Sequence, residues 1–528
     1  MINNKSDSTI IIYSFLSGAC TAFAAAWFYS RKAKCSKAVL DSTSRREVDQ
    51  PEVFCEAGLY LLNWVVEYRK KCRMLPVVSV AQHNYLKKLL PKEAPENTES
   101  WRTIFNDLES TIVPGLTNWQ ASNKFFAYFK PHSSYPAVLA EMLCAGLNVM
   151  GFDWIASPAC TELEVITLDW LASILNLPDK FKSTTTGPGG AVIQGSAGES
   201  AIVVLLAACL RQNAYEKEIA KQASNTPRDK MVVFASDQTH TIIKKACRIL
   251  GLHYAEVPAK KENNWAVDVC DIETELLKYV ENNFVPLAII GTTGTTSSCA
   301  FDNLEDIGAL SRKYNLWFHI DAAYGGAYAA LPEMKQKFKG IELSDSFCVN
   351  AHKKLLCPFD ISALFLADRH HVIRALSVES EYLKNDASDS GAVVDYENWQ
   401  LPLGRRFRAL KLWFVLRRFG ATGIRDHVRK GIEHRKLLQC LLAKEKDLFE
   451  LATPPSLSLL CFRLKDRSEA EHKVFLNELK KTGDCFIIHT KLGGEIVLRM
   501  ACGGLEQTTE DVVDGWTLIS ETAKRLFK

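Results

Sequence analysis

The chain has 528 residues, with 64 Lys+Arg against 61 Asp+Glu for a net charge of +3, and is 47% hydrophobic and 24% charged. That length exceeds what one hydrophobic core usually holds, the composition is that of an ordinary folded protein, and the charge balance argues against a nucleic-acid partner. The 16 cysteines show no repeated CxxC or paired Cys/His spacing, and Cys144, Cys209 and Cys461 sit in apolar runs, so they read as reduced core residues and not as a disulfide framework or a metal site.

From Thr9 to Ser30 no residue is charged, and the stretch is long enough to cross a bilayer, which takes about 20 apolar residues. Arg31, Lys32, Lys34 and Lys37 follow it, whereas only Lys5, offset by Asp7, precedes it. Residues 1–30 therefore read as a single membrane anchor, with the basic side and the rest of the chain in the cytosol. Two alternatives stand beside it. A cleavable signal fits Ala24-Ala25-Ala26 but neither the length nor the side on which the basic cluster lies. A surface-bound amphipathic helix lacks a visible polar face. Without an anchor the protein would be cytoplasmic.

Residues 31–50 are polar and read as a linker. Leu59, Leu62 and Val65-Val66 predict an amphipathic helix over 52–71, and helical pieces follow over 85–90 and 101–112, broken by Pro91 and Pro95. Residues 51–134 thus form a helical segment that needs a surface to cover, either a partner subunit or the chain's own sheet. Near residue 190, short apolar strands begin to alternate with helices: Ala191–Gln194, Met231–Phe234, Ala288–Gly291, Trp317–Asp321 and Ser346–Asn350. This pattern predicts an α/β fold, a mostly parallel sheet flanked by helices, with ligands at the carboxyl ends of the strands. A long basic helix over 411–436 and strand-like Leu459–Leu464 and Ile496–Ala501 suggest a small α/β domain over 411–528, leaving 135–410 as the large domain.

The chemistry sits at the strand ends. Gln194-Gly195-Ser196-Ala197-Gly198-Glu199-Ser200 joins a strand to a helix, and its small residues at a helix N-terminus suit a phosphate, although alone it is an ordinary tight turn. His240, ending Ser236–His240, can lie over a flat ring. Gly294-Thr295-Thr296 offers hydroxyls to a cofactor's edge. Asp321 closes one apolar strand, and Lys353 follows Asn350-Ala351-His352 after a later one. A lysine amine so placed can form a Schiff base with the aldehyde of pyridoxal 5'-phosphate, while the carboxylate pairs with the protonated pyridine nitrogen. Neither a Walker pattern nor GxGxxG is present, which argues against a nucleotide.

In these motifs, together with Phe125–Phe129, Ser157–Glu164, His319–Gly325 and Gly404–Arg408, the chain resembles the group II pyridoxal-phosphate decarboxylases, specifically the aromatic-L-amino-acid decarboxylases, from about Glu52 to the C-terminus. Gly146–Phe152 and Asn350-Ala351-His352 are similar to the plant-type tyrosine and tryptophan decarboxylases. The resemblance implies a homodimer of the aspartate-aminotransferase-like fold (fold type I) with sites shared between subunits. It makes Lys353 the Schiff-base lysine, Asp321 the partner of the ring nitrogen and His240 the residue stacked on the ring. Ala197, Gly198, Asn350 and His352 would lie near the phosphate, with Leu403 and Gly404 supplied by the partner subunit. Phe129, Pro131, Met150 and Phe152 would shape the substrate pocket.

The implied reaction is decarboxylation of an aromatic L-amino acid (tryptophan, DOPA, tyrosine or phenylalanine) to the arylalkylamine. Tyr382, in the polar stretch Glu381–Asp386 that reads as a lid, matches the family's loop tyrosine, the general acid that protonates Cα. Members with phenylalanine there tend to be aldehyde synthases, so Tyr382 and His240 imply the amine, with an aromatic acetaldehyde synthase as the alternative. An inactive, membrane-tethered homologue is a second alternative, whose mark would be loss of Lys353, Asp321 or Tyr382. Gly404 matches the glycine of indole-preferring members and implies a tryptophan-like substrate. Three departures stand out. Lys354 replaces the usual tryptophan and either lowers the pKa of Lys353 by repulsion or points away. Lys130-Pro131-His132 replaces a proline followed by a small hydroxyl residue, and Gly198 lacks a hydroxyl.

Overall fold

The apolar runs form strands: β1 (Gly190–Gln194), β2 (Met231–Ser236), β3 (His253–Val257), β4 (Val285–Thr292), β5 (Trp317–Asp321), β6 (Ser346–Val349) and β7 (Ser362–Leu366). They make one sheet in the order β1-β7-β6-β5-β4-β2-β3. Strand β7 runs antiparallel to β1 and β6, and the other pairs are parallel. Every residue of β1, β2, β5, β6 and β7 is buried. Successive strand residues point to opposite faces, and both faces are covered. Ala191, Ile193, Phe234 and Ile289 join one core with residues of helices Pro158–Ile174, Leu304–Lys313 and Arg408–Ala443. Val192, Val233, Ala288 and Ile290 join another, with helices Ala197–Ala220 and Ile242–Leu250. The computed structural model describes residues 40–44, 50–79, 81–119, 124–220, 226–378 and 393–528.

In this large sheet two strands exceed those read from the sequence. Edge strand β3 is half exposed, and polar His253 and Glu256 break its apolar run. β7 follows the Lys353 turn closely and is the strand that reverses direction. The long helix is Arg408–Ala443, kinked at Gly420, whose φ of 64° and ψ of 174° leave the helical region. Beyond it, β8 (Phe449–Leu451), β9 (Leu459–Leu464), β10 (Ile488–Leu492) and β11 (Glu495–Ala501) form an antiparallel sheet in the order β10-β11-β9-β8. Its helices, Glu469–Thr482 and Thr509–Phe527, each start from a capping box, Ser468 with Glu471 and Thr508 with Asp511.

Cys72–Ser79 and Thr117–Lys528 form one compact unit that holds both sheets. A second unit contains helices Pro51–Lys71 and Trp101–Asp107, where Tyr60 and Trp101 stack on Phe105 at 4.5 and 5.6 Å between ring centroids. Among the described residues no helix is long and apolar enough to cross a membrane. The apolar stretch Thr9–Ser30 and the Tyr382 segment lie outside the described residues.

Candidate active site

Strand register aligns the site. Thr292 pairs with Asp321 and Asp321 with Cys348, so β4, β5 and β6 end level with one another. Buried Asp302 accepts from Val267 N–H (3.0 Å) and Thr292 N–H (2.7 Å) and so pins the end of β4; burial raises its pKa to about 6. Gly325 passes so close to the Thr293 carbonyl that a Cβ would overlap it, which accounts for the glycine closing Asp321–Gly325.

A cavity of about 470 Å³ opens at these strand ends. It is lined by nine of the fourteen expected site residues that are described: Lys353, Asp321, His240, Thr296, Ala197, Gly198, Asn350, His352 and Phe129. They come from the loops after β1, β2, β4, β5 and β6, and from Phe129. Asp321 Oδ1 accepts from Ala323 N–H at 3.0 Å, fixing the carboxylate at the strand end. Burial lowers the pKa of Lys353, and the Asp321 charge partly opposes that shift. A lysine so placed is readily deprotonated and nucleophilic.

His240 has its pKa lowered by the surrounding protein, opposed by Asp321 and reinforced by Lys353, so its imidazole is neutral at pH 7. Its Nδ1 accepts from Ile242 N–H at 3.2 Å, which leaves the ring hydrogen on Nε2. His352 packs against Phe359, 4.9 Å between centroids, and its Nδ1 lies 2.8 Å from the Ile361 carbonyl. Burial and the neighbouring Lys353 bring its pKa to about 4. One wall is aromatic: Phe129 and Tyr324 stack at 3.6 Å and 8°. Lys353 Nζ lies 6.0 Å from the Phe129 centroid.

The residues present fit pyridoxal phosphate. The helix Ala197–Ala220 points its N-terminus at the cavity, a seat for a phosphate. The Asn350 side-chain oxygen is buried at the cavity without a hydrogen-bond partner, an orphan that a bound polar group would satisfy once the amide is turned. An amine and a carboxylate line the same space, as the cofactor's aldehyde and ring nitrogen require.

Five expected residues do not line this cavity. Pro131 lies between Lys130 and His132, both buried. Met150 and Leu403 are exposed, at 61% and 46%, Phe152 is half-buried, and Gly404 sits where a Cβ would be 3.9 Å from Met150 Sδ. Lys354 points away from Lys353: its Nζ donates to the carbonyls of Cys502 and Gly503 at 3.0 and 3.1 Å. The sequence reading missed Tyr324 and Arg499. Arg499 is buried 5.1 Å from the Phe129 centroid, and its Nη2 has no hydrogen-bond partner. A charged residue inside the apolar run Ile496–Ala501 was the available signal.

The family model for the pyridoxal-dependent decarboxylase conserved domain matches residues 83–465. The chain is 41% identical to tryptophan decarboxylase 2 of Oryza sativa subsp. japonica, covering 89% of this chain and 95% of that protein. It is 40% identical to phenylacetaldehyde synthase of Arabidopsis thaliana, covering 89% and 96%. The crystal structure of Oryza sativa TDC with PLP and tryptamine superposes with a TM-score of 0.87 at 32% identity, over 91% of this chain and 99% of that one. The chain belongs to the pyridoxal-dependent decarboxylase family and is a pyridoxal-phosphate enzyme of fold type I.

Proposed function

We propose that the protein decarboxylates aromatic L-amino acids to arylalkylamines, with Lys353 as the lysine that holds the cofactor. The observation that carries this reading is one cavity lined together by Lys353, Asp321 and the stacked pair Phe129 and Tyr324. When bound, pyridoxal phosphate supplies a sink for the electron pair left as carbon dioxide departs. Asp321 would keep a proton on the ring nitrogen, and neutral His240, with its Nε2–H free to donate, would lie against the ring. Ser196, Ala197, Gly198, Asn350 and His352 would hold the phosphate, and Thr296 would offer its hydroxyl to the cofactor. The aromatic wall desolvates the substrate side chain, where offset or edge contacts are worth about 0.5–1.5 kcal/mol beyond burial. Tyr382 delivers the proton to Cα.

Aldehyde formation is the second reading, and a relative named phenylacetaldehyde synthase at 40% identity favours weighing it. Tyr382→Phe is expected to divert most product from amine to aldehyde and peroxide. Incubation with tryptophan, tyrosine, DOPA and phenylalanine, scoring amine, aldehyde and peroxide together, tests both readings. Aldehyde as the main wild-type product would reject the first. Gly404 supports tryptophan as the preferred substrate, and a tenfold preference for tyrosine, about 1.4 kcal/mol, would refute that.

Gly198→Ser tests the phosphate seat. A Cβ there meets nothing closer than Ser196 Oγ at 3.5 Å. One added donor is worth about 1 kcal/mol, so cofactor affinity should rise roughly fivefold in an absorbance titration. Unchanged or weaker binding would place the phosphate elsewhere.

Two features support a homodimer that completes each site. Tyr135, Leu139, Met142, Leu143 and Leu147 form an exposed apolar row on helix Tyr135–Leu147. Met150, Leu403 and Gly404 lie outside the chain's own cavity, where only another copy could use them. The uncharged stretch Thr9–Ser30 and the basic cluster after it support a membrane anchor with the catalytic body in the cytosol. Release of the protein from membranes by alkaline carbonate would contradict the anchor.

A further inference from the structure

Two lysines that the proposed chemistry does not use meet behind the Lys353 turn. Lys354 is fully buried, and its Nζ bridges the carbonyls of Cys502 and Gly503. Lys130 lies beside it, its Nζ 5.5 Å from the Phe125 centroid. Glycines make the room. A Cβ on Gly503 would overlap Lys354 Nζ, one on Gly431 would lie 3.0 Å from it, and one on Gly504 would lie 3.0 Å from Lys130 Nζ. The backbone joins the same parts: His132 N–H donates to the His352 carbonyl at 2.9 Å, and Ser134 Oγ–H to the Leu356 carbonyl at 2.8 Å. His132 Nδ1 and His427 Nε2 are 3.0 Å apart, which ties the long helix into the cluster.

This matters because the turn has little stiffness of its own. The helix Ala351–Lys354 is four residues long, held by Lys353 N–H to the Asn350 carbonyl and Leu355 N–H to the Ala351 carbonyl, each at 3.0 Å. Adjacent helical residues point about 100° apart, so anchoring one fixes the direction of the next. We propose that Lys354, packed beside Lys130, is a positioning residue for the reaction: it clamps the turn to the loop after β11 and so holds Lys353 Nζ against Asp321 and Phe129. The proposal rests on the decarboxylase reading above.

The groups facing Lys354 are Lys130 and His132 from the segment after Phe129, His352 and Lys353 on its own turn, and Cys299. His427 and His434 face it from the long helix, with Lys430 beside them, and Cys502 from the chain after β11, where Glu506 and Asp511 act on Lys130. Burial lowers Lys354 to about 7 and Lys130 to about 8, and holds His132 and His427 well below the ordinary imidazole value. Near neutral pH the two lysines therefore charge while those imidazoles stay neutral. Lysines held below their unfolded value of 10.5 bind fewer protons folded than unfolded. Their contribution to stability is present above pH 10.5 and is lost as pH falls to about 7.

The test uses the full chain carrying Lys354→Met or Lys130→Met. In each, kcat and KM, the absorbance of the bound cofactor without substrate, and the thermal midpoint are followed from about pH 5.5 to 9. Lys354→Met is expected to lower kcat roughly tenfold or more, with KM within about twofold. It should also remove an acid limb near pH 7, shift the cofactor's absorbance titration and flatten the rise of the midpoint above pH 7. Lys130→Met keeps the clamp but should move the same limb to higher pH, because the like charge that lowers Lys354 is gone. A variant that only melts earlier, with kcat, limb and absorbance titration of wild type, would overturn the proposal. If Lys354→Met does not fold, an unshifted limb in Lys130→Met overturns it alone. A wild-type protein that takes up cofactor and decarboxylates nothing would instead reject the function reading, and the absorbance arm would still judge the clamp.

Discussion

Lys353→Ala is expected to lower kcat by at least about three orders of magnitude, the scale seen when a nucleophile is removed from a site that otherwise keeps its binding groups. Lys353 shares the cavity with Asp321, and burial has already lowered the cost of deprotonating its amine. The neighbouring Lys354 cannot substitute, because its Nζ is committed to the Cys502 and Gly503 carbonyls. The variant should still take up pyridoxal phosphate through the helix N-terminus at Ala197, but with the absorbance of the untethered aldehyde. Asp321→Asn should lower kcat by roughly 10²–10³, since it keeps the shape while losing the charge that holds a proton on the ring. Activity of Lys353→Ala within tenfold of wild type would contradict the assignment.

Arg405→Ala is expected to cost about 3–5 kcal/mol of stability, because it strands a carboxylate in the core. Arg405 Nη2 lies 2.5 Å from Glu164 Oε1, with both side chains 1% exposed. The same oxygen accepts from Ile193 N–H at 2.8 Å, and the guanidinium donates to Gln400 Oε1 at 3.1 Å and lies over Tyr396. The pair therefore ties the Ser157–Glu164 and Gly404–Arg408 segments to β1, the strand that leads into the phosphate turn. An intact buried pair gains little over apolar residues of the same volume, but breaking one side leaves the penalty unpaid. Denaturant unfolding at fixed cofactor concentration measures this. Glu164→Gln combined with Arg405→Met should recover a large part of the loss, and a loss under about 1 kcal/mol in Arg405→Ala would show that the cavity relaxes to admit water.

Much of the site was legible because its residues sit at ends of continuous apolar runs. Trp317–Asp321 and Ser346–Val349 announce themselves as buried strands, which puts Asp321 at one strand end and Lys353 just after the other. The turn proposed to seat the phosphate was legible from its small residues between strand and helix. Strand β7 was not, since a single antiparallel strand close behind the Lys353 turn has no signature apart from apolarity. Met150 and Gly404 could be named from motif but not located, because a motif does not say which copy of the chain uses a residue. Lys130 and Lys354 were read as two separate departures; that they share one glycine-lined space is a fact of tertiary packing with no trace in local pattern. Arg499 was not legible as a site residue, because a lone charge in an apolar strand carries no mark of what it faces.

The most direct test is to load the purified protein with pyridoxal phosphate, reduce it with borohydride and map the pyridoxyl group by peptide mass spectrometry. Among the described residues, burial lowers the pKa of Lys130, Lys353, Lys354 and Lys430 within this one region. Modification at Lys353 alone is the predicted result. Modification at Lys354 or Lys130 in place of Lys353, or none at all, would contradict it.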